Sequence, residues 1–275
     1  MTNEADPECE GIEADKTFVY KLVDRHELNL HIFNPENHKP EDKRSAIVFF
    51  FGGGWTNGAP SQFFPHCQYL ASRGMVAISA EYRIESKHGT TPFECIKDGK
   101  SALRWVRANA SMLGIAPERI AAGGGSAGGH VAAAAGTTTA FEESDEDKNV
   151  SFKPNALVLF NPVFDNGPEG YGHERAKARW KEFSPMHNIS NDTPPTIVFL
   201  GREDQLIPVS TAESYKALME KSGCRCELHL YEGQAHGFFN YNDGKNEHYS
   251  LTMHETNKFL VSLGYLNSEP VLTQN

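Results

Sequence analysis

The sequence predicts an α/β fold in which a mostly parallel, eight-stranded sheet carries helices on both faces. Three observations point to it. SAIVFFF (45–51) is a continuous apolar run of strand length, the pattern of a central strand buried on both faces. The stretch from Pro92 to Met112 places Phe93, Ile96, Leu103 and Val106 near one face at helical spacing. Strand-like and helix-like segments then alternate along the chain, the order of a parallel sheet connected by helices.

Element by element, TFVYKLVD (17–24) and ELNLHIFNP (27–35) read as two strands joined by a tight turn at Arg25 and His26. They form a hairpin-like edge, which makes the sheet mixed. SAIVFFF follows, then a helix over roughly Ser61 to Arg73, the strand MVAISAEY (75–82) and the long helix from Pro92 to Met112. RIAAGG (119–124) is a short strand, and the alanine run after Ser126 is a helix. NALVLFNP (155–162) is a strand followed by a polar helical stretch over His173 to Glu182. PTIVFLG (195–201) is a strand, and VSTAESYKALMEKSG (209–223) is a helix closed by Gly223. CRCELHLY (224–231) is the last strand, and Tyr249 to Leu263 the last helix. The acidic EESDEDKNVSFKP (142–154) reads as a surface loop rather than a linker.

The chain has 275 residues, enough for one large domain with a sizeable core. The expected division is a loose N-terminal tail over 1–15, one domain over 16–265 and a C-terminal tail over 266–275. Hydrophobic residues at 39% and charged residues at 23% are ordinary for a globular protein. A net charge of −10 argues against broad electrostatic binding to nucleic acid or anionic membranes and suits neutral or cationic small molecules. The five cysteines, Cys9, Cys67, Cys95, Cys224 and Cys226, have neither the even count nor the spacing of a disulfide framework. Cys224 and Cys226 lack a second ligand pair at zinc spacing and read as small buried hydrophobes. No apolar run is long enough to span a bilayer. The opening MTNEADPECEGIEAD has no signal-peptide pattern, so the expectation is a soluble, cytoplasmic protein, or an exported one had a leader been removed.

In open sheets of this kind, ligands sit outside the carboxyl ends of the strands. The residues directly after each strand therefore carry the functional reading. After RIAAGG comes Gly124-Gly125-Ser126-Ala127-Gly128, the pattern G-x-S-x-G. A serine on a sharp strand-to-helix turn is exposed in a strained backbone, and small neighbours are needed where backbone comes close. The helix that follows aims N–H groups and partial positive charge at the serine. A phosphate loop is the rival reading, but the stretch lacks the G-K-[ST] ending, and it lacks a G-x-G-x-x-G spacing joined to a following strand that ends in an acid. After SAIVFFF comes Gly52-Gly53-Gly54-Trp55, whose bare N–H groups suit an oxyanion hole, worth about 3–4 kcal/mol for one donor.

After PTIVFLG comes Arg202-Glu203-Asp204, where an acid can orient a histidine. Asp204 could equally cap the next helix. Glu203 is a close rival, and Asp165, after NALVLFNP, a more distant one. After CRCELHLY, His236 stands in a loop among small residues, placed to act as a general base. His130 lies one turn into the helix after Ser126 and reads as structural.

Taken as a set, GGGW (52–55), EYR (81–83), GGSAGGH (124–130), GREDQLIP (201–208) and GQAHGFF (233–239) resemble the α/β-hydrolase superfamily of serine esterases. Within it the sequence is most similar to the acetylxylan/feruloyl esterase group and the hormone-sensitive-lipase-like esterases, over about Phe18 to Leu263. The resemblance implies Ser126 as nucleophile, Asp204 as acid, His236 as base, and the N–H groups of Gly53, Gly54 and Ala127 as oxyanion hole. Trp55 and Phe238 are expected to line the substrate.

Two departures stand out. Phe51 replaces the histidine usual before the triple glycine in the lipase-like branch, so packing must hold that loop. Gly125 replaces the acid often found before the serine. With no long cap region, the resemblance implies an open cleft for short acyl groups such as acetate, with a small-molecule or carbohydrate ester as substrate and no cofactor or metal. A serine exopeptidase of the same fold and a longer-chain lipase-like esterase are the alternatives. The sequence leaves the oligomeric state open.

Overall fold

A computed structural model describes residues 11–23, 25–242 and 247–267 of the chain. Eight strands form one sheet: β1 (Lys16–Val23), β2 (His26–Phe33), β3 (Arg44–Phe50), β4 (Val76–Ala80), β5 (Ile115–Gly125), β6 (Ala156–Phe160), β7 (Thr196–Gly201) and β8 (Cys226–Tyr231). Their spatial order is β1-β2-β4-β3-β5-β6-β7-β8. β2 pairs antiparallel with both β1 and β4, and every other pairing is parallel. The predicted mixed edge is therefore the β1–β2 pair. The helices are α1 (Phe64–Ser72), α2 (Glu85–His88), α3 (Pro92–Ala108), α4 (Ala127–Thr137), α5 (His173–Ala176), α6 (Trp180–Phe183), α7 (Val209–Lys221) and α8 (Glu247–Ser262).

Adjacent side chains of β3 separate the two helical layers, because successive residues of a strand point to opposite faces. Phe49 stacks on Phe63 just before α1, with ring centroids 4.8 Å apart. α8 joins this layer, Tyr249 Oη donating to the Pro65 carbonyl at 3.0 Å. Phe50 points the other way, towards Gly99 of α3, where that helix meets Val131 of α4. The inner strands β3, β4, β6 and β7 are buried almost throughout, as their unbroken apolar runs require.

Three expectations shift. The long helix ends at Ala108 rather than Met112, and the chain then turns through Gly114 at φ 64°. The stretch expected as one helix over His173–Glu182 breaks into α5, a 3₁₀ turn at Lys177–Arg179 and α6, with Lys177 at φ 47° interrupting the ladder. Most of the two expected tails, 1–10 and 268–275, lies outside the described residues. The part of the N-terminal tail that is described is not loose. Ile12 packs on the core, and the Asp15 N–H donates to the Ile32 carbonyl at 2.9 Å. In the expected C-terminal tail, Leu266 is buried. Cys67, Cys95, Cys224 and Cys226 are buried free thiols, and Cys9 lies outside the described residues.

Candidate active site

Ser126 occupies the turn between β5 and α4 with φ 52° and ψ −118°, a conformation L-residues rarely adopt. The strain is held from three sides. The Ser126 N–H donates to the Phe160 carbonyl at 3.0 Å, and its own carbonyl accepts from the N–H groups of His130 and Val163. The glycines around it are required by close approach. A Cβ on Gly128 would stand 2.0 Å from the Phe50 carbonyl oxygen, and one on Gly125 would meet the Phe239 ring at 2.4 Å. Phe239 thus lies under the turn, a neighbour that sequence reading did not single out.

Three side chains from three strand ends meet here. His236 Nε2 is 2.9 Å from Ser126 Oγ, and His236 Nδ1 is 2.7 Å from Asp204 Oδ2. The Asp204 side chain is fully buried, His236 is 22% exposed and Ser126 is half-buried. Asp204 does not cap α7, whose N-cap is Pro208; its Oδ1 instead closes the preceding turn, accepting from the Leu206 and Ile207 N–H groups at 2.8 and 2.9 Å. Burial pushes its carboxyl up, but the hydrogen bonds from His236 and from the Ile207 and Leu206 N–H groups outweigh this and hold it below the usual range. The rivals are elsewhere. Glu203 is exposed, and Asp165 accepts from the Gly167 N–H and lies 3.8 Å from His187. His130 is fully buried, its Nε2 3.1 Å from the Phe183 carbonyl oxygen, and burial drives its pKa down to about 3.

The glycine loop lies beside the serine, a Cβ built on Gly52 falling 3.5 Å from Ser126 Cβ. Gly53 and Gly54 hold φ 115° and 61°, which leaves glycine favoured at both. The Gly52 N–H donates to Gln62 Oε1 at 2.7 Å. The N–H groups of Gly53, Gly54 and Ala127 have no acceptor among the described residues. Phe51 is held as its chemistry requires: its ring stacks on Tyr82 at 4.2 Å, and Tyr82 Oη donates to its carbonyl at 2.6 Å. The EYR motif thereby supplies the support that a histidine cannot give here.

Trp55 is corrected. Only 1% of it is exposed, and its ring packs on His130, Tyr171 and Phe183. It anchors the glycine loop rather than offering a face to a ligand. Phe238 is half-buried and packs on Tyr231, His248 and Phe239. Several supporting residues went unread in the sequence. Arg175 Nη1 donates to the Gly54 carbonyl, and Gln62 Nε2 donates to Asn240 Oδ1 at 2.9 Å, tying the glycine loop to the histidine loop. Asn161, directly after β6, touches His236 itself, and the rule of reading strand ends could have found it.

The BD-FAE family model matches residues 30–167, half of the chain, and the dienelactone hydrolase family model matches residues 163–261. Esterase 2 of Thermogutta terrifontis, in its apo form, is 45% identical with a TM-score of 0.90, covering 94% of this chain and 98% of that one. The chain belongs to the α/β-hydrolase superfamily of esterases. Other relatives of this hydrolase include an acetylxylan esterase of Xylanibacter ruminicola, 27% identical over 83% of this chain and 48% of that protein. The probable carboxylic ester hydrolase LipM of Mycobacterium tuberculosis is 32% identical over 60% of this chain and 42% of its own length. The hydrolase spans about half the length of these curated relatives, but nearly all of the Thermogutta esterase. No helix among its described residues is long and apolar enough to cross a membrane.

Proposed function

We propose that this chain hydrolyses carboxylic esters by two-step acyl transfer, with Ser126 as nucleophile, His236 as general base and acid, and Asp204 as the orienting acid. One observation carries the reading: the continuous contact Asp204–His236–Ser126 at 2.7 and 2.9 Å, assembled beyond the ends of β7, β8 and β5. Asp204 accepts a hydrogen bond from Nδ1–H, which leaves the Nε2 lone pair towards Ser126 Oγ. Nε2 takes the hydroxyl proton as Oγ bonds to the ester carbonyl carbon. The carbonyl oxygen gains the negative charge and faces the N–H groups of Gly53, Gly54 and Ala127. His236 returns the proton to the leaving alcohol as the C–O bond breaks, and water repeats the cycle on the acyl-enzyme.

The proposed substrates are short-acyl esters, with acetylated carbohydrate among the candidates. Support comes from relatives. The Thermogutta esterase 2, 45% and 44% identical in the two structures, has been solved with propionate and with butyrate bound, and one curated relative is an acetylxylan esterase. Phe238, two residues past His236 and half-buried, is proposed to border the substrate.

Ser126→Ala tests the assignment. Hydrolysis of p-nitrophenyl propionate should fall by about 10⁶-fold in kcat. A variant within about tenfold of the parent would exclude Ser126 as nucleophile. An acyl scan from acetyl to octanoyl esters, with acetylated xylan beside it, should peak among the short chains. An octanoyl optimum overturns the short-acyl reading.

A further inference from the structure

Asn161 closes β6 and is fully buried. Its φ of 31° lies in the left-handed region, which Asn and Asp tolerate better than most side chains. Its N–H is fixed on the Phe199 carbonyl at 2.7 Å. Its side chain reaches the histidine loop twice. The Gly237 N–H donates to Oδ1 at 3.2 Å, and Nδ2 lies 3.2 Å from His236 Nε2. The first contact decides the second, because a rotated amide would set its NH₂ against the Gly237 N–H. The NH₂ group therefore faces Nε2.

Nε2 is the nitrogen that changes protonation during the proposed reaction. With the Nδ1 proton directed at Asp204, resting Nε2 offers one lone pair, which accepts from both Ser126 Oγ–H and Asn161 Nδ2–H. Once Nε2 has taken the serine proton, it becomes a donor facing the Asn161 donor. We infer that Asn161 is a positioning residue that holds His236 as the free base and disfavours a proton on Nε2. This rests on the roles proposed above for Ser126 and His236. It does two things for the reaction. It keeps the base competent towards lower pH, and it promotes transfer of the captured proton to the leaving alcohol. The charged group facing the ring is Asp204, from the loop after β7. Ser126 and Asn161, from the ends of β5 and β6, are neutral, and Glu203 and Glu232 on the adjoining loops are exposed.

Asn161→Asp inverts the polarity facing Nε2 and adds a negative charge there. It tolerates the same φ and keeps an acceptor for the Gly237 N–H, but turns an oxygen rather than an N–H towards Nε2. The acid limb of kcat/KM against pH, measured on p-nitrophenyl propionate, should move up by at least about one pH unit. Asn161→Gly keeps the backbone freedom, removes both contacts and should move the limb in the same direction by less. If Asn161 is only a structural bridge, the uncharged Asn161→Gly will keep its acid limb within about 0.2 unit of the parent, and the inference falls. Should Asn161→Gly fail to fold, an unshifted limb in folded Asn161→Asp overturns it equally, since the added charge can only raise that limb. Stoichiometric labelling of the parent by an organophosphonate, lost in Ser126→Ala, keeps the two readings apart. Labelling with unshifted limbs sinks the role of Asn161 alone, whereas an unlabelled parent sinks the catalytic assignment.

Discussion

Asp204 divides its carboxylate between two tasks. Oδ1 closes the turn over Leu206 and Ile207, while Oδ2 faces His236. Its pKa is depressed on folding. The stability it contributes is therefore present above the ordinary carboxylate range and lost as pH falls through its lower folded value. An acid limb seen at higher pH must come from another group. Asp204→Asn keeps an acceptor for the turn but reverses the polarity opposite Nδ1. We expect kcat/KM on p-nitrophenyl propionate to fall by about 10⁴-fold. Asp165→Asn should change it by less than about twofold, since Asp165 touches Gly167 and His187 instead. The reverse ranking would place the acid on β6.

Among the elements, the glycine loop depends most on its neighbours. It has no side chains of its own to fix Gly53 and Gly54, so others hold it. Tyr82 stacks on Phe51, Gln62 takes the Gly52 N–H, and Arg175 donates to the Gly54 carbonyl while its guanidinium lies 5.9 Å over Trp55. Arg175 reaches the loop from the short helix α5. Loosening one anchor should disorder the oxyanion donors more than it weakens binding. Arg175→Met is expected to lower kcat about tenfold with KM nearly unchanged, read from steady-state kinetics on a short-acyl ester. A change confined to KM would instead place Arg175 at the substrate.

At the scale of the whole molecule, two neutral histidines sit in the core. His66 is boxed by Phe63, Phe160, Phe239 and Tyr249, and His130 lies beside Trp55 and Phe183. Burial lowers the pKa of each to about 3. The unfolded chain binds these protons near the ordinary histidine value of about 6.5, so between there and about 3 it holds more protons than the native state. Stability must therefore fall as pH drops through that window. Between pH 7.5 and 5.5 each histidine should cost about 1.4 kcal/mol. Urea unfolding at the two pH values measures the loss, and His66→Phe should remove its share. An unchanged slope in that variant would show that His66 titrates alike in the folded and unfolded chain, so that its burial does not lower its pKa.

The sequence alone determined the alternation of strands and helices, the strained serine turn, the glycine triplet, and the order Ser126, Asp204, His236. These are local properties: apolar period, glycine placement and position after a strand are written in consecutive residues. It did not determine which acid faces His236, because Asp204, Glu203 and Asp165 all follow strands; the placement of β7, not β6, beside β8 sets Asp165 aside, and the turn that buries Asp204 leaves Glu203 exposed. Nor did it show that Trp55 faces inward. Its burial depends on His130, Tyr171 and Phe183, which lie far along the chain. Asn161, Gln62 and Arg175 stayed unread for the same reason. Each contacts a residue dozens or more than a hundred positions away, or another loop, so its role exists only once the sheet has brought the strand ends together.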